Sequence, residues 1–199
     1  MILRTFIIHL RWQVRLLIAV VLLLVHAMVI RLDYPAGGPW IALAMQAFVD
    51  SGDFNKYPVM PWFALGILGS VMASGWLEAW KTDRKRIIMG LIIGVSVVVA
   101  GTALRMGRGF GNLFLFSDVG SWSFFLDQKY PPSLVMNLWS FAAVVLGVTL
   151  FIAIGNIFPG ILRIFTVPGK VPLFFYAVHL AILGVFVKRP DFLYREGGV

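Results

Sequence analysis

The chain has 199 residues, of which 60% are hydrophobic and only 13% are charged. Soluble domains are roughly half apolar and about a quarter charged, so this composition excludes an ordinary soluble protein and predicts an all-α integral membrane protein. The net charge of +8 does not indicate nucleic acid as a partner, because the basic residues lie between apolar segments, where topology signals and contacts with anionic lipid headgroups explain them. The absence of cysteine excludes disulfides, thiolate metal sites and a cysteine nucleophile.

Five apolar segments predict about five transmembrane helices in one membrane domain that covers residues 1–199. The predicted spans are 14–30, 58–80, 87–104, 132–158 and 171–187. Only the hexapeptide KTDRKR (81–86) separates the second span from the third, so these two are predicted to form a tight antiparallel pair. Basic residues scattered through residues 1–15 do not resemble a secretory signal, and we expect this segment, with Arg4, Arg11 and Arg15, to lie along the membrane interface.

The short KTDRKR loop also indicates the orientation of the chain. Nine basic residues would lie on its side of the membrane and eight on the other, so the overall balance decides little. Short loops follow the positive-inside rule best, and KTDRKR therefore predicts that its own side, which includes the amino terminus, is cytoplasmic.

The tripeptide Lys-Tyr-Pro stands immediately before two spans, at residues 56–58 and 129–131. Two crossings separate these positions, so both are predicted to lie on the same side of the membrane. One interpretation is structural: proline suits the first turn of a helix, tyrosine prefers the headgroup level and lysine extends toward water. The alternative is that two lysines and two helix amino-termini form a site for a phosphate or carboxylate.

Two histidines fall inside predicted spans, and ionisable groups there usually face the protein interior or a wet cavity. For His26 we expect a structural hydrogen bond. For His179 a structural and a functional role stay open, because Tyr176 precedes it by nearly one helical turn on the same face. No hydrolase elbow, Walker loop or paired-histidine metal spacing occurs, so no metal and no bound cofactor are predicted. The segment GRGFGN (107–112) is interpreted as a flexible loop at the membrane surface.

Three segments, in chain order, resemble the carboxy-terminal half of bacterial proteins in the heparan-alpha-glucosaminide N-acetyltransferase-like family. They are YPVMPWFALGILG (57–69), FLDQKYPPSLVMNLW (125–139) and GKVPLFFYAVHLAIL (169–183). With the helices between them, the resemblance covers residues 10–188. The Lys-Tyr-Pro-Pro-Ser-Leu and Val-Pro-Leu-Phe-Phe-Tyr-x-x-His motifs are fairly specific as a pair. The residues carried over by motif are Pro61, Trp62, Lys129, Tyr130, Pro131, Pro132, Ser133, Pro172, Tyr176 and His179.

The resemblance implies a polytopic acyltransferase of the bacterial cytoplasmic membrane. Acetyl-CoA is the donor and an amino sugar of a glycan is the acceptor in the best-known case. Lys129 would hold an anionic group of donor or acceptor, while Tyr130, Trp62 and Tyr176 would contact the substrate. His179 would carry a proton or orient another group, a task that suits histidine because its pKa lies near neutrality.

The sequence departs from the family at its amino terminus. Family members are longer, and the histidine associated with their catalysis belongs to an amino-terminal half that residues 1–30 do not match. We therefore expect the chain alone to be incomplete for catalysis and to act with an amino-terminal half as a separate polypeptide. A fragment, a split-gene product and a short divergent member remain alternatives. So do two other functions, a non-catalytic membrane module that packs against a partner and a small transporter, since the glycine-rich second and third spans suit any of them.

Overall fold

The computed structural model describes residues 9–32, 38–52, 55–127, 129–158, 160, 170 and 176–178. Within these ranges the chain forms helices and turns without strands, and four helices are long and apolar enough to cross a membrane. The predicted class, an all-α integral membrane protein, is confirmed. The chain divides into two compact units, residues 1–152 and 153–199, and the contacts below lie within the first unit.

The described helices are α1 (Trp12–Val29), α2 (Pro39–Phe48), α3 (Val59–Ser74), α4 (Asp83–Met106), α5 (Trp122–Phe125) and α6 (Leu134–Ile157). A π-helical turn, Gly75–Ala79, continues α3. The helices α1, α3 with its π turn, α4 and α6 match the first four predicted spans, with ends that differ by four residues or fewer. The short helix α2 was not predicted. The fifth predicted span, 171–187, lies outside the described residues except for 176–178.

The connection between α3 and α4 is held by Arg86. The π turn ends with the Trp80 amide donating to the carbonyl of Gly75 at 2.7 Å. Arg86 Nε donates to the carbonyls of Trp76 at 2.7 Å and Trp80 at 3.0 Å, and its Nη1 lies 2.8 Å from Asp83 Oδ1. The guanidinium thus satisfies carbonyls that a helix end leaves without intrahelical donors. The short connection follows KTDRKR as predicted, but the tight pairing predicted for the second and third spans is not seen, because α3 packs mainly against α1 and hardly contacts α4.

The packing of α1 against α3 forms the apolar core of the first unit. Its buried members are Ala19, Leu23, Ala27, Ala64, Ile67, Leu68 and Leu134. Arg15 extends this contact: its Nη1 donates to both the carbonyl and the hydroxyl of Ser70 at 3.1 Å, and its Nη2 donates to Ser74 Oγ at 2.6 Å. The prediction that Arg15 lies along the membrane interface is wrong, because it belongs to the first turn of α1 and is buried against α3.

Glycines bring α4 close to α6. A Cβ atom at Gly94 would lie 2.5 Å from Leu146 Cδ2, and one at Gly101 would lie 2.9 Å from Trp139 Cδ1. Small residues let membrane helices approach closely where van der Waals packing drives their association. Close approach was expected of the glycines in both the second and the third span. It is seen in the third, whereas a Cβ atom at Gly66 or Gly69 of α3 would meet nothing within 4 Å.

Candidate functional site

Arg105, the last-turn basic residue of α4, is the centre of the loop that joins α4 to α6. Its side chain has no solvent exposure. Nε donates to the carbonyl of Phe124 at 2.9 Å, and the two Nη atoms donate to the carbonyls of Phe114, Ser123 and Leu126 at 2.7, 3.0 and 2.9 Å. A fifth bond runs from Nη1 to Asn112 Oδ1 at 3.0 Å. A guanidinium has five N–H donors, so the chain itself uses all of them.

Asp127 completes what we call the Arg105 cluster, which consists of Arg105, Asn112, Asp127 and Ser133. Its Oδ2 lies 3.5 Å from Arg105 Nη1 and accepts the hydroxyl of Ser133 at 2.7 Å. Ser133 Oγ in turn accepts the amide of Met136 at 2.9 Å and so caps the first turn of α6. The cluster ties the end of α4 to the start of α6 through the loop between them.

The two Lys-Tyr-Pro steps meet in a second group, the Lys129 cluster, which consists of Tyr57, Trp62, Lys129 and Tyr130. The hydroxyls of Tyr57 and Tyr130 lie 3.5 Å apart and their ring centroids 5.4 Å apart, edge to face. The Trp62 ring lies 5.6 Å from that of Tyr57, and Lys129 Nζ lies 5.1 Å from the Tyr130 centroid. The prediction that both steps lie on the same side is confirmed.

Local turns position the two tyrosines. Asn55 Oδ1 accepts the Tyr57 amide at 3.0 Å, and Asn55 Nδ2 donates to the Tyr57 carbonyl at 2.9 Å, which closes a turn just before Pro58 and α3. The second step leads into α6 through a cis Tyr130–Pro131 bond and the buried prolines 131 and 132. Buried prolines beneath exposed tyrosines leave the aromatic rings and Lys129 at the surface of the bundle.

The surroundings of Tyr130 favour its ionised form. The hydrogen bond with Tyr57 has the largest effect, and the hydrogen bond and positive charge of Lys129 add to it, so the pKa of Tyr130 is lowered from its ordinary value near 10. Because the ring is exposed, solvent screens these effects. The cluster combines an exposed cation, two phenol hydroxyls and aromatic faces, which are groups that bind an anion attached to a flat or apolar body.

The structure brings together three of the five predicted site residues, Lys129, Tyr130 and Trp62. Tyr176 lies in the second unit and is exposed, and His179 lies outside the described residues. Lys56 is exposed, and the structural role predicted for it stays a prediction.

His26 has the structural hydrogen bond that was predicted. Its Nε2 lies 2.8 Å from the carbonyl oxygen of Val49, so this nitrogen carries the proton and the side chain joins α1 to the segment after α2. Across the described ranges, no three His, Cys, Asp or Glu side chains come close enough to hold a metal ion.

The importance of Arg105 was missed at the sequence level. The third span was ended at residue 104, and the following GRGFGN segment was interpreted as a flexible surface loop. That interpretation is wrong for Asn112, which is buried, accepts from Arg105 and donates to the carbonyl of Leu104 at 2.8 Å. An arginine at the end of an apolar run, followed by Asn112 and Asp127, was the available signal.

No protein-family profile, characterised protein or solved structure matches this chain.

Proposed function

We propose that the chain is an acyltransferase-like membrane protein in which the Lys129 cluster holds the anionic group of a donor or acceptor. The observation that supports this proposal most directly is the contact between Tyr57 and Tyr130, which lie 73 positions apart in sequence. A lysine and a tyrosine at one helix start are explained by membrane anchoring alone. Anchoring gives no reason for two such steps to converge into one aromatic surface beside the exposed ammonium group of Lys129.

The chemistry of this surface suits acetyl-CoA or an acidic glycan. Lys129 offers a charge-assisted contact to a phosphate or carboxylate, and the hydroxyls of Tyr57 and Tyr130 lie close enough to hydrogen-bond to the same group. The ring of Trp62, which is partly exposed, offers a face for an adenine base or a sugar ring. In this proposal a separate polypeptide with the family's amino-terminal half supplies the catalytic histidine.

The test is to measure acetyl-CoA binding to the purified chain in lipid nanodiscs, with and without Lys129. Losing a charge-assisted contact costs about 1.5–3 kcal/mol, so Lys129→Ala should weaken binding by about ten- to a hundredfold. Lys56→Ala is the matched control, because it removes an equivalent exposed lysine at the other tripeptide. Binding that is unchanged in Lys129→Ala, or more damaged in Lys56→Ala, contradicts the proposal.

A non-catalytic membrane module is the second candidate. It is favoured by the Arg105 cluster, the best-satisfied polar group of the described residues, because all five donors of Arg105 serve to hold the chain together. Measurements of acetyl transfer and of partner binding distinguish the two candidates. Acetyl transfer to glucosamine by the chain together with an amino-terminal half, reduced by Lys129→Ala, supports the acyltransferase, whereas binding to a partner protein without acetyl-CoA binding supports the module.

A further inference from the structure

A large apolar cavity lies between α1, α3, α4 and α6, away from the Lys129 cluster. Its volume is about 750 Å³, within the range of about 300–1,000 Å³ typical of ligand sites. Side chains from all four helices line it, among them Leu16, Val20, Val71, Met72, Ile93 and Phe141. All of these belong to membrane-crossing helices, so the cavity lies at the depth of the lipid chains.

One end of the cavity is marked by residues typical of the headgroup level. Trp12 begins α1, Glu78 belongs to the π turn and Trp80 directly follows it, and all three line the cavity. Tryptophan is enriched at membrane–water interfaces. The KTDRKR loop follows Trp80 directly, so this end of the cavity is adjacent to a basic loop.

A buried positive charge lies beside the same end. Arg15 is 6% exposed, has no carboxylate partner in the described ranges, and its buried Nε has no hydrogen-bond partner there. Its Nη2 donates to Ser74, and Ser74 lines the cavity. A buried cation without a counter-ion is costly, so the potential at this end of the cavity favours an anion.

We propose that the cavity binds one anionic phospholipid. An acyl chain occupies the apolar part, and the phosphate lies at the mouth between Trp12 and Trp80, near Arg15 and the lysines of the KTDRKR loop. This loop is predicted to be cytoplasmic, and the cytoplasmic leaflet carries anionic lipids that attract basic segments next to the membrane. The proposal is independent of the function proposed for the Lys129 cluster, which lies at the opposite end of α3.

An acyl chain fits the cavity better than other occupants. Water needs polar partners, and the lining offers few of them. A helix of another polypeptide would pack best against small residues, whereas the lining here consists mainly of large apolar side chains. A flexible lipid chain adapts to such an irregular apolar space. Glu78, the acidic member of the lining, is exposed, so solvent screens its charge from a phosphate at the mouth.

The experiment compares lipid retention in native mass spectrometry. The chain is purified in detergent and offered equal amounts of phosphatidylglycerol and phosphatidylcholine with the same acyl chains. We expect one retained phosphatidylglycerol in preference to phosphatidylcholine. Val71→Trp, which fills the cavity, should lower the retention of phosphatidylglycerol about tenfold. The double variant Lys81→Gln with Lys85→Gln should lower the ratio of retained phosphatidylglycerol to phosphatidylcholine, also about tenfold.

Val99→Trp is the matched control, because Val99 is 61% exposed on α4 and does not line the cavity. If Val71→Trp elutes as an aggregate in gel filtration, Ala79→Trp at the mouth replaces it. Equal retention of both lipids, or an equal loss in Val99→Trp and in Val71→Trp, overturns the proposal in favour of ordinary annular contact. Retention of no lipid also overturns it, and a dimer mass would then identify a second copy as the occupant.

Discussion

Arg105 and Lys129 carry the same charge near the two ends of one loop, but one side chain is buried and the other is exposed. Arg105 has no exposure and gives all five donors to the chain, whereas Lys129 is exposed and lies over a tyrosine ring. A buried guanidinium with every donor used has nothing left for a ligand. A surface ammonium beside aromatic rings can still pair with an anion.

The loop therefore has a buried part around Arg105 that stabilises it and an exposed part, the Lys129 cluster, for which we propose ligand binding. The carbonyls bonded to Arg105 belong to Phe114, Ser123, Phe124 and Leu126, and the one helix there, α5, is a single turn that is too short to satisfy them. Arg105 therefore does for this loop what a helix or sheet does elsewhere. The Lys129 cluster sits at the loop's far end and depends on this framework for its position.

The largest effect is expected from removing Arg105. Arg105→Ala leaves Asp127 buried without its cationic partner and four carbonyls without a donor, so it should lower the free energy of unfolding by about 3–5 kcal/mol. Denaturant unfolding in detergent micelles measures this. Arg108→Asn is the matched control, since Arg108 stacks on the same Phe116 ring but is exposed, and asparagine tolerates its positive φ. Equal unfolding midpoints for the two variants would show that Arg105 is not the centre of the loop.

A smaller loss of stability is expected at Ser133. Ser133→Ala removes the amino-terminal cap of α6 and one hydrogen bond to Asp127, which together should cost about 1–2 kcal/mol. Ser117→Ala removes a hydroxyl that bonds only to other exposed or half-exposed serines of the same loop, and its unfolding should match the parent. The comparison of the two clusters fails if Ser133→Ala changes acetyl-CoA binding while leaving stability intact.

The sequence predicted the helices well because membrane insertion depends on local apolar length. The four described spans needed only runs of apolar residues. The helix α4 begins four residues before the predicted span because the Thr82 side chain caps it and Asp83 suits its first turn. The same side for Tyr57 and Tyr130 followed from counting crossings. Their contact did not, because the distance between two helix starts depends on how α3 and α6 pack.

The Arg105 cluster could not be predicted from local sequence pattern. An arginine after an apolar run usually extends to the membrane surface, and nothing local distinguishes that position from burial. Its five acceptors come from residues spread over fifteen positions, from Asn112 to Leu126, and all but one are backbone carbonyls that carry no sequence signal. The burial of Arg15 was missed for the same reason, since its partners Ser70 and Ser74 belong to another helix.

The smallest expected effect is on the ionisation of Tyr130. Its lowered pKa predicts that Tyr130 ionises below the ordinary tyrosine value near 10 when the pH is raised, and that Tyr57→Phe and Lys129→Ala each move its pKa up. A lowered pKa stabilises the folded protein above the pKa of the unfolded chain, near 10, and this stabilisation is lost as the pH falls through the pKa of the folded protein. Neutral pH lies below both values, so through this ionisation neither variant should change the unfolding midpoint there. Ultraviolet difference titration of each protein against its Tyr130→Phe counterpart isolates this group. Ionisation of Tyr130 at the ordinary value near 10, unchanged in both variants, would mean that the hydroxyl of Tyr57 and the charge of Lys129 do not act on it in solution, and the Lys129 cluster would then not be a preformed anion site.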